Sequence, residues 1–232
     1  MSFESHSAGF SYSERGELRD KRSNARGRGR ADLAKAVFDR CFAVFALLFF
    51  APFLIIISLV VFLGDGGPIL FRHKRVGRDG RIFSCLKFRT MANDAEDRLK
   101  AILASDPKAR AEWEANQKLE DDPRITCVGE FFRKTSLDEL PQFWNVLRGE
   151  MSVVGPRPIV ADEARHYGEH FEDYLSVRPG VTGLWQVMGR SRTTYDERVA
   201  MDVDYVRNRS FRMDLWIILK TVKVMLFRDG AC

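Results

Sequence analysis

Cysteine is scarce in this sequence and arranged for no recognisable chemistry. Cys41, Cys85, Cys127 and Cys232 show no CxxC spacing, and Cys41 stands at the head of an apolar run. Neither a zinc site nor a disulfide framework is indicated, and a reducing compartment fits. The glycine spacings of the Rossmann and Walker phosphate cradles are missing as well. Aliphatic side chains are nearly absent from residues 1–30, which are rich in Ser, Gly and Arg and end in ArgGlyArgGlyArg, so this stretch is expected to be a disordered basic tail. No secretory signal is expected, because the long apolar run starts late and no small-residue cleavage site follows it. With 232 residues, 45% hydrophobic and 30% charged, there is room for one core of ordinary size and not for a second large domain.

A net charge of +5 and a pI near 9.1 call for anionic partners, and nucleic acid, anionic lipid and phosphorylated substrates all qualify. The arginine-rich tail could bind RNA, but a basic segment directly before a hydrophobic run is better read as a cytoplasmic membrane flank. That run, Cys41 to Leu63, carries no charge and is long enough to cross a bilayer. Pro52 breaks it near its middle. Basic residues lie on both sides, Arg26, Arg28, Arg30, Lys35 and Arg40 before it and Arg72, Lys74, Arg75 and Arg78 after. A straight span would strand one basic flank outside, so residues 31–68 are expected to form a re-entrant anchor bent at Pro52, with residues 69–232 as a cytoplasmic domain.

Alternating segments from Ile69 to Met91 around Asp79-Gly80 predict a small β-hairpin. Its second arm, if extended, puts Lys87 and Arg89 on one face and Phe88 on the other. Asn93-x-x-Glu96 reads as a capping box, and Asp106-Pro107 as a second N-cap with proline at the first helical position, giving two polar helices up to Asp122. Near the C-terminus Leu215, Trp216, Leu219, Val222, Met225 and Leu226 form an apolar stripe bordered by Lys220, Lys223 and Arg228. A basic amphipathic helix of this kind suits a membrane interface, and an ordinary core helix would look similar.

The chemistry concentrates between Arg133 and Pro158, RKTSLDELPQFWNVLRGEMSVVGPRP. Adjacent carboxylates, Asp138 and Glu139, lie between Arg133 and Arg157. Asp138 could attack phosphorus as a carboxylate nucleophile, and Glu139 could hold a divalent metal, for which Mg²⁺ suits because one or two carboxylates plus substrate phosphates suffice. The arginines could grip phosphate bidentately, and the prolines around Arg157 hold its position. The same letters have a plainer reading: Ser136-x-x-Glu139 is a capping box, with Pro141 awkwardly inside the helix it would start. Downstream, RPGVTGLWQVMGR at 178–190 offers Gly180, Gly183 and Gly189 for close backbone approach, Trp185 for stacking, and Arg190.

SLDELPQFWNVLRGEMSVVGPRP, with DPRIT at Asp122–Thr126 before it and RPGVTGLWQ at Arg178–Gln186 after it, resembles the bacterial sugar transferases, the monotopic phosphoglycosyl transferases that start exopolysaccharide assembly on a polyprenol carrier. The resemblance runs from about Asp32 to the C-terminus. It implies an α+β, mainly helical, monotopic fold with a re-entrant helix–break–helix anchor and interfacial amphipathic helices at the cytoplasmic face of the bacterial inner membrane. The implied reaction moves a hexose-1-phosphate, galactose being the guess, from a UDP-sugar to undecaprenyl phosphate through a phosphosugar on Asp138. Glu139 would hold Mg²⁺, and Lys87, Arg133, Arg157 and Arg190 would contact phosphates. Asp202, three residues before Tyr205, would orient Arg190 or substrate, although its periodicity suits a surface carboxylate equally. The sequence departs from the family's usual residues at Ala51 (Ser), His73 (Gln) and Met188 (Asn or Ser). Expected partners are the UDP-sugar, polyprenyl phosphate and the bilayer, without nucleic acid; a homo-oligomer is left open. The competing function classes are a membrane scaffold with no catalysis and a nucleic-acid binder using the tail.

Overall fold

The computed structural model describes residues 12–116, 119–189 and 193–227. The chain forms two compact units, one running to Phe38 and the other beginning at Asp39. Their boundary falls inside helix α1 (Tyr12–Phe49). Residues 12–30, expected to be structureless, are therefore the first part of that helix, where Glu, Arg, Lys, Leu and Ala outweigh the breaks at Gly16, Gly27 and Gly29. Residues 1–11 of the expected tail lie outside the described residues.

Helix α2 (Ala51–Asp65) follows after a single residue. The bend lies at Phe50 and not at Pro52, which sits in the first turn of α2, where its missing N–H costs no bond. Leu54 N–H reaches back to Phe50 O at 2.8 Å. The segments Ala31–Phe49 and Ala51–Gly64 are apolar enough together to match a membrane span but are bent by 62°, and no single helix among the described residues is long and apolar enough to cross. Only a narrow stripe of α2 is covered: Ile57 and Val61 pack against Phe88, Phe132 and Leu140. Most of its outer face is bare, with Leu63 71% and Ile55 69% exposed, as are Phe45, Leu48 and Phe49 of α1.

The expected hairpin is present, with β1 (Leu70–Val76) antiparallel to β2 (Ile82–Phe88) and Phe71 opposite Lys87, His73 opposite Cys85, and Arg75 opposite Phe83. Its tip turns through Asp79 and Gly80, both at positive φ. Helices α3 (Ala95–Ser105) and α4 (Pro107–Asn116) follow. The first capping box fails: α3 starts one residue later than expected, from Asp94, because Asn93 turns its side chain to Arg89 and to Gly66 O. The second cap forms, with Lys108 N–H donating to Asp106 Oδ1 at 2.8 Å.

Helix α5 (Cys127–Thr135) is capped by Thr126, whose Oγ1 accepts from Gly129 N–H at 2.9 Å. A 3₁₀ turn, Leu137–Glu139, leads to the short α6 (Gln142–Leu147). Strand β3 (Ser152–Val154) pairs in parallel with β4 (Gly180–Thr182), and between them run 3₁₀ turns and α7 (Phe171–Leu175). Helices α8 (Leu184–Met188), α9 (Tyr195–Asn208) and α10 (Phe211–Phe227) complete a mainly helical α+β protein. The largest core cluster joins Cys85 of β2, Val146 of α6, Val153 and Val154 of β3, Tyr205 of α9 and Ile217 of α10. Outside Ile217, α10 leaves Leu215, Trp216, Leu219, Val222 and Met225 exposed, which matches the expected amphipathic stripe; the side chain of Leu226 lies outside the described set.

Two buried polar tethers fix these pieces. Asn145, 1% exposed, accepts from Leu86 N–H at 3.0 Å and donates to Ser84 O at 2.8 Å, locking β2 to α6. Asp39, 3% exposed, accepts from Ser152 Oγ at 2.8 Å and from Val153 N–H at 3.2 Å, fixing α1 to β3. Such groups must be satisfied when buried, so they specify register as well as contact.

Candidate active site

The Asp138–Glu139 pair sits in the turn between α5 and α6, and the reason is local. α5 ends on Ser136, which adopts a left-handed conformation (φ 57°, ψ 17°) with its N–H bonded to Arg133 O. Ser136 is thus a C-cap, and its hydroxyl makes no N-cap bond. The capping-box reading is corrected: the spacing matches, but the preceding helix claims the serine, and Pro141 takes the N-cap position of α6 instead of its interior. The tight turn leaves Asp138 7% exposed, facing the second arm of the hairpin.

Lys87 of β2 meets both carboxylates, 2.6 Å from Glu139 Oε1 and 4.0 Å from Asp138 Oδ2. The two acids are held in different electrical states. Burial pushes the Asp138 carboxyl up to about 6, and Glu139 raises it further, against the pull of Lys87 and Arg133. Burial also acts upward on Glu139, but Lys87, Arg157 and hydrogen bonds from Lys87 and Gln142 together hold it below its ordinary value. One carboxylate is locked as an ion pair while its neighbour stays poised near neutrality, the kind of separation by which paired acids take different roles. Arg133 leans in from α5 with its Nε donating to Thr90 Oγ1 at 2.8 Å, and Asp138 favours its charge against burial.

Arg157 approaches from the other side. Gly155 starts its loop, and a Cβ there would lie 2.5 Å from Arg178 O; one at Gly180 would lie 2.1 Å from Gly155 N, and one at Gly183 2.4 Å from Gly155 O. The close backbone approach expected of Gly180 and Gly183 is real, and only glycine fits. Gly155 N–H bonds to Thr182 O at 3.0 Å and Gly180 N–H to Pro156 O at 2.7 Å, which fixes the loop. The Arg157 guanidinium lies 5.9 Å from the centre of the Trp185 ring, and that of Arg198 4.7 Å. Trp185 is only 8% exposed, so its stacking partners are these guanidiniums.

Asp202 is no surface carboxylate. It is 2% exposed, its Oδ2 accepts from Tyr167 Oη at 2.8 Å, and burial pushes it up to about 7 against Tyr167 and Arg157. Its other oxygen is buried without a hydrogen-bond partner among the described residues. Arg190 lies outside the described residues. The structure therefore brings together Lys87, Arg133, Asp138, Glu139 and Arg157, with Asp202 behind Arg157.

Sequence reading missed Gln142 and Thr90, which bind Glu139 and Arg133, and Tyr167, which binds Asp202. It also took Arg75 for a membrane flank, whereas that side chain is largely buried beside His73 and Glu163. For Gln142 the available signal was the pair of polar residues, Gln142 and Asn145, in the otherwise apolar QFWNVL segment.

No group of three or more His, Cys, Asp or Glu side chains able to hold a metal occurs among the described residues. Glu139 Oε1 is already taken by Lys87. The residues present fit Mg²⁺ only as an ion that takes most of its ligands from outside the protein, with Glu139 the side chain that would hold it.

The bacterial sugar transferase family profile matches residues 30–228. The chain belongs to that family. It is 52% identical over 197 residues to an undecaprenyl-phosphate galactose phosphotransferase of Salmonella typhimurium, covering 85% of this chain and 41% of that protein. It is 48% identical over 209 residues to a UDP-galactose-lipid carrier transferase of Erwinia amylovora, covering 90% of this chain and 44% of that protein. With the exopolysaccharide production protein ExoY of Sinorhizobium fredii it shares 48% identity over 200 residues, covering 86% and 88% of the two chains. The chain thus spans about two fifths of the first two relatives and most of the third.

Proposed function

We propose that this sugar transferase moves a hexose-1-phosphate, with galactose the favoured sugar, from a UDP-sugar to undecaprenyl phosphate as the first step of exopolysaccharide repeat-unit assembly. Two of the similar proteins carry galactose in their names and one carries exopolysaccharide production. The bare apolar faces of α1, α2 and α10 and the 62° bend support a re-entrant anchor at the cytoplasmic face of the cell membrane.

One observation carries the mechanism: Asp138 is a buried carboxylate whose lysine, Lys87, stands 4.0 Å from it and only 2.6 Å from Glu139, so the closer ion pair is made by the neighbour. An Asp138 carboxylate oxygen attacks the phosphorus bearing the sugar, the bond to UMP breaks, and UMP leaves with the bonding pair. A polyprenyl phosphate oxygen then attacks the same phosphorus and releases Asp138, giving a polyprenyl-diphosphate sugar. Lys87 and Arg133 balance the charge gathered around the transferred phosphate, and Arg157 acts from the Glu139 side. Glu139 would hold Mg²⁺, whose charge offsets repulsion between Asp138 and the diphosphate. Asp202 and Tyr167 hold the Arg157 loop from behind.

Brief incubation with labelled UDP-hexose in the absence of acceptor, then denaturation and mass analysis of the peptide containing Asp138, tests this. The phosphosugar adduct is expected on Asp138 and absent from Asp138→Asn. A wild-type protein that turns over yet never carries label there refutes the covalent route, and an Asp138→Asn variant that still turns over removes Asp138 from the chemistry.

A further inference from the structure

Arg75 has no part in the chemistry above, yet it is held beside the site. Its side chain is 15% exposed, with Nη1 3.4 Å from Glu163 Oε2 and Nη2 3.2 Å from His73 Nδ1. The backbone explains the position: Val76 N–H donates to Ile159 O at 2.9 Å, so the end of β1 is tied to the chain two residues beyond Arg157. Burial and the positive charge of Arg157 both lower the Arg75 pKa, and burial, Arg75 and Lys87 lower that of His73, leaving a neutral acceptor. Like charges are thus brought together against their own repulsion.

The counter-ion is weakly committed. Glu163 lies at the edge, 36% exposed, and the oxygen that faces Arg75 accepts a shorter bond of 2.8 Å from Val160 N–H. Losing Arg75 leaves Glu163 hydrogen-bonded and wet, so the exchange costs it little. Two guanidiniums, of which Arg75 holds only a displaceable carboxylate, make a phosphate cradle, because the forked donors match phosphate oxygens bidentately.

We propose that Arg75 and Arg157 form a second phosphate subsite that binds the departing nucleoside monophosphate, while Lys87 and Arg133 serve the phosphate that is transferred. Glu163 is its placeholder, released when the nucleotide enters and re-paired with Arg75 when it leaves. This rests on the transferase reading above.

The test is calorimetric titration of UMP, with uridine as the phosphate-free control, into the full chain in detergent micelles. Arg75→Gln should weaken UMP binding about tenfold and leave uridine unchanged, since it removes one charge-assisted bidentate contact. Glu163→Gln should tighten UMP binding several-fold, because it removes the competing charge while its amide oxygen still accepts from Val160. The opposite sign separates the proposal from simple damage, and the edge position of Glu163 keeps that variant informative if Arg75→Gln fails to fold. UMP binding unaffected by Arg75→Gln, or weakened by Glu163→Gln, overturns the subsite and leaves the transferase reading standing. A wild-type chain that binds neither UMP nor UDP-sugar removes both.

Discussion

Replacing Asp138 by Asn should stabilise the protein while abolishing sugar-phosphate loading. The carboxyl shifts from an ordinary 3.8 to about 6 on folding, because burial outweighs the attraction of Lys87 and Arg133. At about 1.4 kcal/mol per pH unit, the charged form costs the native state about 3 kcal/mol. The sign follows from proton binding: between pH 3.8 and about 6 the native chain holds more protons at this site than the unfolded chain, so wild-type stability falls as pH rises through that window. Asn titrates nowhere. Its advantage should be about a third of its full value near pH 4.5 and complete by pH 8, on the order of 6 to 12 °C in Tm for a chain of this size. Thermal unfolding of both proteins in one detergent at the two pH values measures it. A difference that does not grow with pH, or an Asn variant less stable than wild type at pH 8, would mean that the cations outweigh burial and would refute the reasoning.

Single-turnover loading from UDP-sugar alone should rise with pH and level off above about 6, as the Asp138 carboxylate becomes ionised; a flat profile between pH 5 and 8 excludes that group as nucleophile. Asn145→Leu strands Leu86 N–H and Ser84 O, so it should cost about 2 to 5 kcal/mol by denaturant titration and slow turnover by loosening Lys87. Gly180→Ala places a Cβ 2.1 Å from Gly155 N, forcing β3 from β4 at about 3 kcal/mol and displacing Arg157, which should appear as a raised KM for UDP-sugar. For topology, Asp20→Cys and the native Cys232, each tested in intact cells with the other cysteines replaced by serine, should both resist an impermeant thiol reagent; labelling of one alone establishes a full span.

The parts of the fold legible in sequence were those written in short range. The Asp79-Gly80 turn, the Asp106-Pro107 cap and the glycines at 180 and 183 were readable because backbone conformation or close approach restricts the residue type directly. Ser136 and Asn93 misled because a capping box is a spacing, and the same spacing arises where a helix ends or where an amide turns to a distant carbonyl. At the site, the carboxylates and their cations were visible, since few other roles demand adjacent acids among arginines. Arg75, Thr90 and Tyr167 were not, because each acquires its role from a partner far along the chain that only tertiary packing supplies. Asp202 shows the limit: helical periodicity located its face, but burial alone separates a wet carboxylate from one held near neutrality.

The bond from Asp39 to β3 bears on how this protein can be handled. Solubility engineering commonly trims hydrophobic helices from a catalytic body, as though the two were separable modules. Here trimming α1 and α2 would remove the carboxylate that satisfies Ser152 and Val153, and would also uncover Phe88, Phe132 and Leu140 beneath Ile57 and Val61. Phe88 adjoins Lys87, and Val154 leads into the Arg157 loop. A soluble version therefore has to keep both helices and change only their bare outer faces, at positions such as Ile55, Leu59 and Leu63, where polar side chains disturb no internal contact.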